Sequence, residues 1–276
     1  HDRNASCTAL STLRSTYSTA HWSMDDTGEN HITEEREAND GAVAGILDTD
    51  WSWSTAGGVH NGSLALADTY GSFAFFPVDS EGTSIVSSGN FTAMAWVKWG
   101  GPVDGSTNVV ILSCYGTTQS GFKLEVTPAG VLSAVVQAGS ATKWEASWDG
   151  GLLQDRGWHH LAIVFDTTTA SVSLFVNGTL LSVAGSASHT PVSSSSAQPY
   201  CSVGTGYTLS GNRFHGEVDD VWFFSRALLA KEVEDAMENP ACGASAPSSN
   251  GICDLSDSLR GRWKLDDASG VSVLDS

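Results

Sequence analysis

Short runs in which apolar and polar residues alternate recur along most of the chain, with turn residues between them. Ser63 to Leu66, Gly71 to Phe76, Phe91 to Trp99, Val109 to Tyr115, Gly121 to Thr127, Val131 to Gln137, Trp158 to Asp166, Ser171 to Val176 and Phe214 to Phe224 each predict a strand. Thr127-Pro128-Ala129-Gly130 and Asn177-Gly178 join neighbouring runs as hairpins. Strands at this spacing without helices between them imply antiparallel sheets packed as a sandwich, an all-β fold. One short C-terminal helix is expected over Leu228 to Glu238, where Leu229, Val233, Ala236 and Met237 share a face and Asn239-Pro240 ends it.

Trp22-Ser23-Met24-Asp25-Asp26 has a close copy in Trp263-Lys264-Leu265-Asp266-Asp267. Each reads as a strand with one buried face entering an acidic turn. The chain therefore divides into a polar N-terminal arm over residues 1–19, a domain over 20–239, a Ser/Pro/Gly linker over 240–257 and a repeated domain opening over 258–276. Thr27 to Asp50, acidic and punctuated by Gly, reads as a long surface connection.

The formal charge of -18 over 276 residues sets aside nucleic acid, whose phosphates need a basic surface. No apolar run is long enough to span a bilayer. The start at His1 without Met fits a mature chain after signal removal, and the sequons at Asn4, Asn61, Asn90 and Asn177 fit a secreted, extracellular glycoprotein. The five cysteines, Cys7, Cys114, Cys201, Cys242 and Cys253, have no zinc-type spacing. Cys242 and Cys253 bracket a loop that a local disulfide could close, Cys114 and Cys201 lie in runs that neighbouring strands could bridge, and Cys7 is the odd one.

Trp158-His159-His160-Leu161-Ala162-Ile163-Val164-Phe165-Asp166, its partner Ser171 to Gly178, and Phe214-His215-Gly216-Glu217-Val218-Asp219-Asp220-Val221-Trp222 with Arg226-Ala227-Leu228 resemble the laminin-G-like, concanavalin A-like jelly-roll superfamily. The resemblance covers roughly residues 16 to 238 and implies two curved antiparallel sheets, with the first strand near Val218 to Phe224. Leu229 departs from it, standing where a small polar residue usually starts the closing helix, so the cap is expected to be weaker or to come from elsewhere. The scaffold alone does not select among glycan binding, adhesion, structure and catalysis.

His159 and His160 are adjacent on a strand, so they point to opposite faces, one ring helping the core and the other facing out. The glucanase spacings Glu-x-Asp-x-x-Glu and Glu-x-Asp-x-Glu are absent, and Glu217, Asp219 and Asp220 fit the superfamily's structural motif instead. No enzyme activity is expected. Asp25, Asp26, Asp219 and Asp220 form a candidate calcium site, calcium being common in the superfamily, with turn capping as the competing role. Trp51, Trp53, Trp99, Trp144 and Trp148, in or near Gly-rich connections, are candidate glycan platforms or core residues.

The second copy is the start of another domain, a disordered tail, or a strand for a different subunit. Trp263, Leu265, Val271, Val273 and Leu274 give it an apolar face, and burying one such side chain is worth about 1.5 to 3 kcal/mol. The expectation is a secreted structural or adhesion module that self-associates head to tail through Cys242 to Ser276 into a filament or tandem array. A carbohydrate-binding, lectin-like domain is the alternative, with a glycan or an extracellular matrix component as ligand. Deletion after Asn239 is expected to abolish self-association in sedimentation velocity, and unchanged association would remove the assembly reading.

Overall fold

The computed structural model of the chain describes residues 18–22, 24, 31–32, 41–44, 51–67, 73–77, 90–101, 108–115, 121–138, 142–185, 200–206 and 213–238. With strands numbered in chain order, the first sheet runs β14 (Thr179–Gly185), β13 (Ser171–Val176), β12 (Trp158–Asp166), β7 (Phe91–Trp99), β16 (Gly216–Phe224), β5 (Ser63–Leu66), β4 (Trp51–Ser54). β1 (Ser18–Trp22) also pairs with β16. The second sheet runs β11 (Thr142–Trp148), β10 (Leu132–Ala138), β9 (Gly121–Val126), β8 (Val109–Tyr115), β15 (Tyr200–Val203), β6 (Phe73–Pro77), β3 (Gly41–Ala44), β2 (His31–Ile32). Every pairing within the sheets is antiparallel, and the two together form a jelly-roll sandwich.

Alternation along the strands supplies the inner face. Phe91, Ala93, Ala95, Val97 and Trp99 of β7 and Leu161, Ile163 and Phe165 of β12 meet Phe122, Leu124 and Val126 of β9 and Leu132, Ala134 and Val136 of β10. Phe91 stacks on Phe122 with ring centroids 4.8 Å apart, and Phe165 meets Trp144 edge-on at 5.2 Å. Registry of Ser202 with Ser113 places Cys201 opposite Cys114, and these two form a disulfide. It closes a sequence separation of 87 residues, for which chain entropy alone suggests about 4 to 5 kcal/mol.

The first sheet is also apolar on part of its outer face. Met94, Ala162, Val164, Phe175, Trp222 and Phe224 pack there against Leu228, Val233 and Ala236. The last two belong to α1 (Ala230–Glu238), which lies across the sheet through Val233 and Ala236 of the expected face, whereas Leu229 precedes the helix and is 68% exposed. Its start is capped by Glu232, whose carboxylate accepts the Leu229 N–H at 2.7 Å and takes a forked ion pair from Arg226 at 2.9 and 2.7 Å. The cap absent at Leu229 is thus supplied three residues on. Thr92 anchors the approach, donating its hydroxyl to the Arg226 carbonyl and accepting the Leu228 N–H.

Several expectations change in detail. β1 starts at Ser18, inside the stretch read as an arm, and ends at Trp22, with Met24 buried at a φ of 60°. β2 and β3 lie within the Thr27 to Asp50 stretch read as a connection, because two to four residues suffice to extend a sheet edge. Trp51 and Trp53 lie on β4, and Trp144 and Trp148 on β11, where connections were expected. Replacing Thr92 by Val is expected to lower unfolding free energy by about 2 to 4 kcal/mol, since a carbonyl and an N–H lose their buried partner. Equilibrium urea denaturation reads this, and an unchanged midpoint would show that water replaces the hydroxyl.

Candidate functional site

Register sets the outer face of the first sheet in rows. In one row Trp96 of β7 stands between His160 of β12 and Asp219 of β16. In the next, Lys98 stands between Trp158 and Glu217, Glu217 faces Ala65 of β5, and Ala65 faces Ser52 of β4. The register of β16 on β7 shifts between Asp219 and Trp222, where Asp220 takes a φ of 54°.

The row through Trp96 is roofed by the loop before β5. Asp219, fully buried, accepts the backbone N–H groups of Val59 and His60 at 2.7 and 2.8 Å. Position 58 has to be glycine there, since a Cβ would come within 1.7 Å of the Gly62 carbonyl oxygen. The His60 ring meets Trp96 edge-on at 5.9 Å, His160 meets the same indole at 5.3 Å, and the Trp158 indole N–H donates to the Gly57 carbonyl at 3.2 Å. Burial drives the His160 pKa down to about 4, against the raising effect of the Asp220 charge and with a smaller lowering by His60.

The neighbouring residue is held differently. His159 Nε2 lies 2.9 Å from Asp155 Oδ1, and its Nδ1 lies 3.1 Å from the Asn177 amide nitrogen. The hydrogen bond from His159, then that from the Gly157 N–H, lowers the Asp155 pKa. His159 and His160 are both buried, at 5% and 2% exposure, so neither ring faces out as expected; the loop covers what would have been the exposed one.

Beyond the loop the next row stays open. Lys98 Nζ and Glu217 Oε1 form an ion pair at 2.7 Å, and Ser63 donates its hydroxyl to Glu217 Oε2 at 2.9 Å. At this end of β4, β5, β16 and β7 lies a cleft of about 330 Å³, lined by Trp51, Ser52, Ala65, Leu66, Lys98, Trp99, Arg156, His215 and Glu217. Gly216, at a φ of 148°, lets β16 approach β7 there, since a Cβ would sit 2.1 Å from the Lys98 carbonyl oxygen. The His215 ring lies against Gly100, where a Cβ would come within 2.7 Å of it. Arg156 reaches the cleft from a 3-10 turn over Leu152–Asp155.

Glu217 and Asp219 are poorly placed to act together on a glycosidic bond. Asp219 is sealed beneath the loop, so it and Glu217 do not flank a space that a sugar could enter.

The other expected residues are spread widely. Asp25, Asp26, Cys7, Cys242, Cys253, Asn4 and the assembly residues Trp263, Leu265, Val271, Val273 and Leu274 lie outside the described residues. Asp219 gives one carboxylate oxygen to two N–H donors, and among the described residues no group of three or more His, Cys, Asp or Glu is gathered as a metal would require. Asn61 is exposed in the loop, Asn90 accepts from the Thr167 N–H and hydroxyl at 2.7 and 2.6 Å, and Asn177 accepts the His160 N–H at 2.9 Å. Trp99 and Trp144 are core, and Trp51, Trp53 and Trp148 pack against the core, with Trp51 and the buried Trp99 also bordering the cleft. Lys98, Arg156 and His215 escaped sequence reasoning; the rarity of basic residues, 13 Lys and Arg in all, was the available signal.

The family model described as the concanavalin A-like lectin/glucanases superfamily, of laminin G type, matches residues 71–234, more than half of the chain. No curated protein matches it significantly. Among solved structures, the receptor binding domain of botulinum neurotoxin D is similar at a TM-score of 0.62 with 13% identity, covering 84% of this chain and 54% of that one. The binding domain of botulinum neurotoxin DC in complex with rat synaptotagmin II gives 0.58 with 9% identity, covering 82% and 52%. The chain thus spans about half the length of these toxin domains. Domain 4 of AbnA, an extracellular arabinanase from Geobacillus stearothermophilus in complex with arabinotriose, gives 0.57 with 19% identity, covering 79% of this chain and 97% of that one. At these identities the likeness is one of fold.

His160 generates a pH dependence. Its folded pKa of about 4 lies below the ordinary 6.5, so the unfolded chain binds more protons between those values. The stability it contributes is full above pH 6.5 and is lost as pH falls to about 4, a change on the order of 3 kcal/mol. Urea unfolding across this range is expected to show a shallower pH slope in His160→Gln, and equal slopes would contradict the assignment.

Proposed function

The chain belongs to the concanavalin A-like lectin/glucanase superfamily, and on that premise we propose that it is a non-catalytic module that binds carbohydrate in the cleft at the open end of β4, β5, β16 and β7. The observation that carries this is one cleft at the sheet end that Trp51 lines together with Lys98, Glu217, Arg156 and His215. Sugars offer C–H faces that pack on an indole and hydroxyls that bridge cationic and anionic groups. The Lys98 and Glu217 pair suits the second task, since it presents a donor and an acceptor already held at 2.7 Å.

Similar folds lend support by analogy. One occurs in a structure with arabinotriose and others in receptor binding domains. Secretion is favoured by the Cys114 and Cys201 disulfide together with the sequons, of which Asn61 stands in an exposed loop.

A second reading, a structural or adhesion role through head-to-tail assembly, is favoured by the repeated Trp263 to Asp267 stretch, and it is compatible with ligand binding at the cleft.

A glycan array is expected to show a restricted set of binders, with binding lost in Ser52→Trp, which fills the mouth from an exposed position. Trp51→Ala is expected to weaken the same binders at least about tenfold, in the range of a lost aromatic contact. A silent array, or binding untouched by Ser52→Trp, would remove the proposal.

A further inference from the structure

Among the described residues, Arg156 is the cleft residue whose charge has no ion-pair partner. Lys98 and Glu217 cancel as an ion pair, and Ser63 takes the remaining carboxylate oxygen. Arg156 is exposed, lines the same cleft, and has no hydrogen bond or ion pair through its side chain among the described residues. Among the described residues the cleft lining thus has two cations, Lys98 and Arg156, to one carboxylate, Glu217, on a chain whose formal net charge is -18.

The turn that presents Arg156 is fixed on every other side. Leu153 is buried in the core, Gln154 donates its side-chain amide to the Ala129 carbonyl at 2.7 Å, and Asp155 holds His159 and the Gly157 N–H at 2.9 and 2.7 Å. Arg156 itself adopts a φ of 58°, a conformation that Gly or Asn occupies at lower cost. A Cβ on Gly101 would lie 3.3 Å from Arg156 Nη2, so the guanidinium rests beside bare backbone. The turn anchored by Leu153, Gln154 and Asp155 thus brings the exposed Arg156 side chain to the cleft.

We propose that the saccharide bound here carries an anionic group, a carboxylate or a sulfate, and that the Arg156 guanidinium receives it while Trp51 packs against the sugar. This rests on the cleft being a carbohydrate site. A guanidinium presents paired donors that match two oxygens of either anion, whereas a neutral sugar leaves that fork hydrated. Elsewhere the acidic surface repels an anionic chain, so recognition is confined to the cleft and does not spread as general adhesion.

The test uses the full chain on matched probes: oligogalacturonate with its methyl ester, sialylated oligosaccharides with their asialo forms, and sulfated with unsulfated oligosaccharides, each measured by calorimetry. The acidic member of at least one pair is expected to bind about tenfold or more tightly than its neutral match, in keeping with a charge-assisted bond. Arg156→Gln is expected to erase that preference, and Arg156→Lys to restore it in part. If acidic and neutral members bind equally and Arg156→Gln changes nothing, while Ser52→Trp still blocks binding, the anion proposal falls and the carbohydrate site stands. If neither member of any pair binds, both fall.

Discussion

The outer face of the first sheet depends on a buried carboxylate. Asp219 sits on the strand that β7, β5 and β1 all share, and it accepts two consecutive backbone N–H groups from a loop about 160 residues away in sequence, the separations being 160 and 159. A carboxylate buried in that place needs donors that hold still, and the loop needs an acceptor that water cannot replace. Each requirement answers the other. The contact lays His60 on Trp96, and that roof is what leaves His160 dry.

The sheet consequently has three kinds of outer surface. Toward Phe224 it is apolar and covered by α1; in the middle it is aromatic and polar and covered by the Asp219-held loop; toward Gly216 it is polar and open. A strand buried on both faces loses its alternation, which is why Phe91 to Val97 reads as almost continuously apolar while Lys98 breaks the run. The site lies where the cover stops, and the first uncovered row begins with that lysine.

Strand positions and the sandwich were legible in the sequence because period two and turn chemistry are local signals. The hairpin at Asn177-Gly178 needs positive φ at both residues, observed as 49° and 74°. The helix was visible in the same way, and Glu232 as its cap follows from a position three residues past Leu229. β2, β3, β4 and β15 were missed because strands of two to four residues carry little periodicity and form by pairing with a partner already in place, whereas β11 and β14, of seven residues each, were not read as strands despite their length. The cleft was less legible still. Trp51 was singled out for its residue type, but Arg156 and His215 mean something only once β4, β7 and β16 bring them together.

His159 and His160 show the same limit from the other side. Alternation correctly assigns them to opposite faces, yet a face is not the same as exposure. What covers a face is decided by a distant segment, here a loop whose Gly58 carries no recognisable motif. Asp219 likewise reads equally well as a calcium ligand, a turn cap or a backbone acceptor, since all three use the same oxygens. In the structure one Asp219 oxygen takes the backbone-acceptor role, receiving the Val59 and His60 N–H groups at 2.7 and 2.8 Å. Beyond the loop, Lys98, Glu217 and Arg156 remain within reach of solvent.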